Sequence, residues 1–168
     1  MDAVGVLEDG FSRIKELVHG VVEGMSEDEL AARIEDGANS IAWLVWHLTR
    51  IQDDHVADVA GREQIWVSGG WADKFELPFD LYDTGYGHGP AQVAAVTADA
   101  RKLRGYYDAV HRETVSYVRG LSPEDLDKVV DTSWDPPVTL SVRLVSVMSD
   151  DLQHAGQAAY ARGILLRR

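Results

Sequence analysis

The stretch NSIAWLVWHLTRIQDDHVADVAG, residues 39–61, decides the fold. It opens on Asn39 and Ser40, both favoured as N-cap residues, and closes on Gly61, a favoured residue just past a helix end. Residues 41–48 are apolar almost all round, which is typical of a helix that is buried on every side. The stretch therefore predicts a deeply buried helix.

Three more long segments have helical spacing. The first covers about residues 3–23 and repeats apolar side chains every three or four positions. The others cover about residues 91–119 and about residues 138–165. Short helices are predicted after the capping-box pattern of Ser26 and after Ser122, which is followed by proline. Because no strand pattern competes, the sequence predicts an all-α four-helix bundle.

Residues 62–90 separate the second and third long helices. They are rich in glycine and tryptophan and show no sustained periodicity. A connection this long inside a compact domain is uncommon and is often functional. We interpret it as a long crossover that also forms one wall of a pocket.

Composition limits the classes of function. The 168 residues have the size of one domain, which we expect to span residues 1–168. The net charge of −12 and the scattered basic residues argue against binding to nucleic acid or to an anionic membrane. No apolar run is long enough to span a membrane and no signal peptide is evident, so a cytoplasmic protein is expected. The chain has no cysteine, so thiol chemistry would need an external thiol.

Three residues are the candidate metal ligands: His47, Asp150 and His154. On a helical wheel Asp150 lies about 40° from His154, and a carboxylate and an imidazole four residues apart can converge on one point. Carboxylates are rarely fully buried unless they are paired or bound to metal. His47 lies among apolar residues of the second helix. The pattern predicts a metal site shared by two helices.

The same residues allow other interpretations. His154 and Asp150 can form a buried hydrogen-bonded pair. Asp150 and Asp151 can face water, or they can pair with Arg143 and Arg162 respectively. A lone histidine on an apolar face is commonly a core residue. The residue pattern alone leaves these alternatives open.

Asp54 and His55 are not expected to complete the site. They follow His47 by seven and eight residues, about 10–12 Å along the helix, and ligand bonds of about 2 Å cannot bridge that gap. They are expected to line the mouth of the site or to lie on the protein surface. The remaining histidines, His19, His88 and His111, are expected to face solvent, with the alternative that His88, in a glycine-rich loop, approaches a pocket.

Two segments resemble a known superfamily. Residues 39–55 and residues 150–163 resemble the second and fourth helices of the DinB/YfiT-like proteins. More narrowly, they are similar to the DinB-family mycothiol transferases of actinobacteria, which are related to the mycothiol-dependent maleylpyruvate isomerase. Parts of residues 66–88 share the likeness, so it covers most of the chain.

The resemblance implies a four-helix bundle with a long connection between helices two and three. It also implies a metal triad of one histidine on the second helix and a pair four residues apart on the fourth. Those positions are His47, Asp150 and His154 here. Many members have histidine at the middle position and the isomerase has glutamate, so Asp150, with its shorter reach, is a departure.

Two imidazoles and one carboxylate leave coordination positions open, which is a catalytic arrangement for zinc. A thiol bound there would be deprotonated to the nucleophilic thiolate. The expected function is a metal-dependent thiol S-transferase that joins a low-molecular-weight thiol, such as mycothiol, to a small electrophile. Zinc is the expected metal, with nickel and iron as alternatives. No catalytic side chain beyond the ligands is predicted, and a homodimer is expected.

Other functions stay open at this point. The same two-histidine, one-carboxylate set suits Fe(II) in oxygen chemistry or a metal-bound hydroxide in hydrolysis. A non-catalytic metal-binding or stress-response bundle is a further alternative, in which the site has no turnover. Four tryptophans would form apolar walls for an electrophile or simply pack the core: Trp43, Trp46, Trp66 and Trp71.

Overall fold

The computed structural model describes residues 2–167 of the chain. In chain order the elements are α1 (Ala3–Val22), α2 (Glu27–Ala31), α3 (Ile41–Ala60), α4 (Ile65–Ser68), α5 (Trp71–Phe75), α6 (Pro90–Ala95), α7 (Ala100–Arg119), α8 (Pro123–Leu126), β1 (Val129–Asp131), β2 (Val138–Thr139) and α9 (Leu140–Leu165). No helix within residues 2–167 is both long and apolar enough to cross a membrane.

The four long helices α1, α3, α7 and α9 form the bundle. Helix α3 packs against α7 and α9, and α1 packs against the same two, so that α1 and α3 lie on a diagonal. The crossover between α3 and α7 contains α4, α5 and α6. The predicted all-α four-helix bundle with a long crossover between the second and third long helices is confirmed.

Helix α3 is the most deeply buried of the four. The Ser40 hydroxyl accepts a hydrogen bond from the backbone N–H of Trp43, and Gly61 ends the helix in the left-handed conformation with φ of 63°. Every residue from 41 to 50 is buried. The predicted boundaries and the predicted burial are both confirmed. A helix that is apolar all round is removed from water only when other elements pack against it on every side.

One expectation was wrong, and one feature was not predicted. The helix predicted over residues 91–119 is two helices, because Val96 is extended and Asp99 starts α7 by accepting a hydrogen bond from the backbone N–H of Lys102. The unpredicted feature is a short antiparallel ribbon that β1 and β2 form before α9. Strands of three and two residues are too short for an alternating pattern to be visible in the sequence.

The crossover is anchored at its start by a buried side chain of α3. The Asp53 carboxylate accepts hydrogen bonds from the backbone N–H groups of Ile65 and Trp66, at 2.8 and 2.7 Å, where α4 begins. A carboxylate at a helix start satisfies backbone donors that have no partner within the helix. The crossover therefore leaves α3 in a fixed direction.

Candidate metal centre

The structure brings together the three residues that the sequence singled out. His47 on α3 and Asp150 and His154 on α9 each offer one ligand atom, and these atoms lie within 4.8 Å of one another. The two imidazole ring centroids are 4.8 Å apart. His47 is 6% exposed, whereas Asp150 and His154 are half-buried. That these residues bind a metal stays a prediction.

The His47 ring is fixed by a backbone contact from the crossover. Its Nδ1 lies 2.5 Å from the carbonyl oxygen of Thr84, and because a carbonyl only accepts, Nδ1 carries the proton. The ring also stacks on Trp43, with centroids 4.5 Å apart. Burial lowers the pKa of His47 below its usual value, although the Thr84 contact opposes this. A neutral imidazole with a free Nε2 lone pair results, which is the form that binds metals.

The His154 ring is fixed by its own helix. Its Nδ1 donates to the carbonyl oxygen of Asp150 at 2.8 Å, one turn earlier on α9. The Nε2 lone pair is again the one left for a ligand bond. Both imidazoles thus have the backbone contact that typically orients metal-binding histidines.

The Asp150 carboxylate supplies a test of whether these residues suit a metal. Its Oδ2 is buried and has no hydrogen-bond partner within residues 2–167. It lies 3.4 Å from Nδ1 of His154, whose proton is already held by the Asp150 carbonyl, and buried carboxylate oxygens normally have a hydrogen-bond donor or a cation of their own. Two imidazole nitrogens and one carboxylate oxygen are a donor set for Zn²⁺, Ni²⁺ or Fe²⁺, and the residues present fit such an ion.

Residues 83–88, called the site loop below, cover His47. Within it, His88 Nε2 donates to the Asp83 carboxylate at 3.0 Å, while His88 Nδ1 accepts from the indole N–H of Trp43 at 3.1 Å. The His88 side chain is 2% exposed, so its expected solvent-facing position was wrong. Asp83 also accepts from the backbone N–H of Gly85. Partial burial acts to raise the pKa of Asp83, but the hydrogen bonds from His88 and Gly85 together hold it below its usual value.

Gly85 is required by the tight fit of the site loop. Its φ is +90°, a conformation that residues with a side chain rarely adopt. A Cβ atom at this position would lie 2.8 Å from Cζ3 of Trp46 and 3.0 Å from Nδ1 of His47. The backbone therefore approaches the candidate ligand more closely than any other residue type permits.

A buried polar network joins the site loop to the bundle. The Arg50 side chain is fully buried, and its Nε donates to the Asp83 carbonyl at 3.1 Å. Its Nη1 donates to Gln64 and to the hydroxyl of Tyr106, which in turn donates to Asp53 at 2.8 Å. Burial raises the pKa of Asp53, and the bonds it accepts oppose that rise. The network holds the crossover against α3 at two points, Gln64 and Asp83.

Several residues stay outside the cluster. Asp54 and His55 do not join the three candidate ligands in the part of the chain that is described. Both are half-buried. Arg143 contacts His55 and forms an ion pair with Asp131 at 2.7 Å. It therefore does not form the Asp150 pair that the sequence left open.

Asp151 lies in the bundle core. It is fully buried, and neither carboxylate oxygen has a hydrogen-bond partner within residues 2–167. Burial raises its pKa well above the usual value, and the neighbouring Asp150 adds to the rise. The interpretation that Asp151 faces water was therefore wrong. Its burial was not predicted, because the helical-wheel argument concerned the face that Asp150 and His154 share.

A family model for mycothiol-S-transferases matches residues 6–166. The chain belongs to the mycothiol-S-transferase family. This family is part of the DinB/YfiT-like superfamily, so the resemblance found in the sequence is confirmed. No curated protein matches the chain.

The mycothiol-S-transferase fold of this chain is similar to the crystal structure of a conserved protein from Enterococcus faecalis. The two share 30% sequence identity with a TM-score of 0.91, over 100% of this chain and 99% of that chain. The similarity therefore includes α3, the crossover and α9, which together form the candidate metal centre.

Proposed function

We propose that this member of the mycothiol-S-transferase family is a metal-dependent thiol S-transferase, and that residues 1–168 act as one metal-binding domain. The observation that carries the proposal is the convergence of His47, Asp150 and His154 on one point. The proposed ligand atoms are Nε2 of each imidazole and a carboxylate oxygen of Asp150. Zinc is the proposed ion, with nickel and iron as alternatives.

The chain lacks cysteine, so the sulfur comes from a co-substrate, for which the family points to mycothiol. An ion held by His47, Asp150 and His154 would supply the positive charge that lowers the pKa of an incoming thiol. The sulfur would then form a bond to the electrophilic carbon of a small acceptor as the bond from that carbon to its leaving group, for example bromide, breaks, and the thiol proton and the leaving group would pass to solvent. No cysteine of the chain competes for the acceptor.

The side chains of the site have separate roles in this proposal. His47 and His154 keep their protons on Nδ1, where backbone carbonyls hold them, and present Nε2. Asp150 is the most exposed of the three, with 35% of its side chain accessible, so the thiol approaches from its side. His88 has both ring nitrogens hydrogen-bonded and acts as a support for the site loop, with no free nitrogen for proton transfer.

The first test is metal content. Protein purified without a metal-affinity tag is analysed for Zn, Ni and Fe, alongside His47→Ala and His154→Ala and the control His19→Ala. We expect about one ion per chain in the parent and control, and loss of the ion in both site variants. Absence of metal in the parent after dialysis against Zn²⁺ would overturn the proposal.

The second test is the dependence on thiol. The metal-loaded parent is assayed with mycothiol and the electrophile monobromobimane, and conjugate formation is followed by fluorescence. Chelation of the metal is expected to abolish the enzymatic rate. Turnover of an ester or consumption of oxygen without added thiol would instead favour the hydrolase or oxygenase alternative.

A further inference from the structure

The exposed face of α9 carries no charge. Ten residues of this helix are exposed, and none of them is Asp, Glu, Lys or Arg. In a chain of which 26% is charged, an exposed helix face normally contains charged side chains, as in α7, where four of the five exposed residues are arginine. The charged residues of α9 are instead half-buried or buried on the other sides of the helix: Arg143, Asp150, Asp151 and Arg162.

Large apolar side chains lie along this face. Val142, Val145, Leu152 and Tyr160 are between 42% and 68% exposed. On a helical wheel all four lie within about 40° of Gly156, and together they span about 27 Å of helix. A continuous exposed apolar surface of this extent is typical of an interaction site.

Gly156 lies near the middle of the face. Glycine inside a helix is less favourable than alanine, and a Cβ atom at Gly156 would meet nothing within 4 Å in the described chain. The fold of one chain therefore gives no reason for glycine at this position. The missing side chain does allow a second helix to approach closely, within the range of about 8–10 Å that separates the axes of packed helices.

The two halves of the face have complementary shapes. A recess of about 380 Å³ opens on the N-terminal half, and Val145, Ser146 and Ser149 are among the residues that line it. Asp150 borders this recess from about 120° round the helix from Gly156, so it lies at the margin of the face. On the C-terminal half Tyr160 protrudes, with 68% of its surface exposed. The recess is large enough to contain a tyrosine ring.

The face is complementary to a second copy of itself. When two α9 helices run antiparallel about a two-fold axis next to Leu152, Ser149 of each copy lies opposite Gly156 of the other, and Val145 lies opposite Tyr160. Long helical side chains lean towards the N-terminus, which brings the Tyr160 ring over the recess of the other copy. A two-fold interface requires this reciprocity.

The charge of the molecule favours a second copy over other occupants. Each chain has a net charge of −12, so two copies repel each other except through a surface that carries no charge. A helix that lies on a membrane carries Lys or Arg on its exposed side, and α9 exposes neither. Packing two such faces buries on the order of 1,000 Å² in total, near the lower limit for a specific interface.

We infer that the exposed face of α9 is the interface of a two-fold symmetric homodimer, in which Tyr160 of each copy occupies the recess beside Val145 and Ser149 of the other. The two α9 helices cross closely at Gly156. The interface lies beside the candidate metal centre, because Asp150 borders the same recess.

The first test compares two leucines of similar exposure. Leu152, 42% exposed, lies next to the proposed axis, and Leu17, 39% exposed, lies on α1. Sedimentation equilibrium of the protein as purified should show a dimer with a micromolar dissociation constant. Leu152→Glu brings two carboxylates together at the axis and should weaken the dimer about 100-fold, whereas Leu17→Glu should match the parent. Circular dichroism checks that both variants keep their helices.

Two outcomes of this test overturn the inference. One is a parent that stays monomeric up to about 100 μM, a concentration at which an interface of this size should form; the face would then belong to a different protein partner. The other is equal dimerisation of Leu152→Glu and Leu17→Glu, which would place the interface elsewhere on the molecule.

A second test uses two exposed glycines. Gly156→Ala and Gly20→Ala each place a Cβ where it meets nothing within 4 Å in the described chain, so alanine should stabilise the monomer in both. Only Gly156→Ala should weaken the dimer, by about tenfold, because it separates the crossing helices. Unchanged dimerisation of Gly156→Ala overturns the proposed helix crossing.

Disulfide formation tests the orientation of the two helices. The chain has no cysteine, so engineered thiols are the only ones present. Val145→Cys mixed with Tyr160→Cys should give a disulfide between the two variants. Each variant alone should give none, since identical positions lie about 22 Å apart in the antiparallel pair. Disulfides within each variant alone, and none in the mixture, would show a parallel pair and overturn the proposed symmetry.

Discussion

On α3 the imidazole of His47 is held by a carbonyl 37 residues further along the chain, whereas on α9 the imidazole of His154 is held by the preceding turn of the same helix. The buried carboxylates of the two helices differ in the same way. Asp53 on α3 accepts bonds from the crossover and from α7, but Asp151 on α9 has no partner in the described chain. The α3 half of the site depends on tertiary structure, and the α9 half depends on helix formation.

The largest expected effect comes from breaking the α3 half at Gly85. Gly85→Ala puts a Cβ into contact with Trp46 and His47 at a φ of +90°. We expect the free energy of unfolding to fall by about 2–5 kcal/mol, from backbone strain plus overpacking. Metal affinity should fall about 100-fold, because the contact that orients His47 is lost. Denaturant titration and chelator competition measure the two quantities.

Gly87→Ala is the matched control for that variant. Gly87 also has a positive φ, of 76°, but a Cβ there meets nothing within 4 Å. The expected cost is the backbone strain alone, about 1–2 kcal/mol, with unchanged metal affinity. Equal loss of metal affinity in both variants would show that the close approach of Gly85 to His47 is unimportant.

A smaller effect is expected from loosening the site loop without a clash. Asp83→Ala removes the acceptor for His88 and for the Gly85 N–H. Metal affinity should fall about tenfold. In ¹⁵N NMR of the metal-free protein, the Nδ1–H signal of His47 should change and that of His154 should not. A change in both signals would contradict the independence of the two halves.

The smallest effect concerns Asp151, the unpartnered carboxylate of α9. Since burial raises its pKa, folded protein keeps a proton that the unfolded chain loses above about pH 4. Unfolding thus releases a proton, and this residue's contribution to stability declines as pH rises through that range towards the folded pKa. Asp151→Asn removes the decline, so its stability relative to the parent should increase with pH.

Urea denaturation of metal-free parent and Asp151→Asn at pH 5 and pH 8 checks this. The control is Asp36→Asn, an exposed aspartate whose replacement should leave the pH dependence of the parent in place. If parent and Asp151→Asn show the same change in unfolding free energy between the two pH values, Asp151 is not held protonated by the fold.

The difference between the two helices also explains which features the sequence predicted. The four-residue spacing of Asp150 and His154 determines by itself that both lie on one helix face, so spacing alone predicted the α9 half of the site. The apolar run of residues 41–48 likewise predicted the burial of α3. His47 was a candidate from its place among the apolar residues of the second helix and from the resemblance to a family, because a single buried histidine has no spacing to interpret.

The remaining features depend on the path of the chain. Residues 83–88 have no periodicity, so the glycine-rich loop left an approach of His88 to a pocket as an alternative but did not predict its position between Trp43 and Asp83. Asp151 was missed because a helical wheel gives only an angle around the helix axis. The packing of α9 against α1 and α3 decides whether a residue at that angle is buried. The break before Asp99 carried a capping signal, which the helical spacing on either side obscured.

The hydrogen bond from His154 to Asp150 has a consequence for protein engineering. Transplanting the Asp150–His154 pair to another helix would carry the orienting carbonyl with it, since that carbonyl belongs to Asp150 itself. The pair is a portable module of five residues. His47 is not portable in this sense, because a recipient scaffold would also need a glycine-containing loop that reaches back to the ring and an arginine beneath that loop.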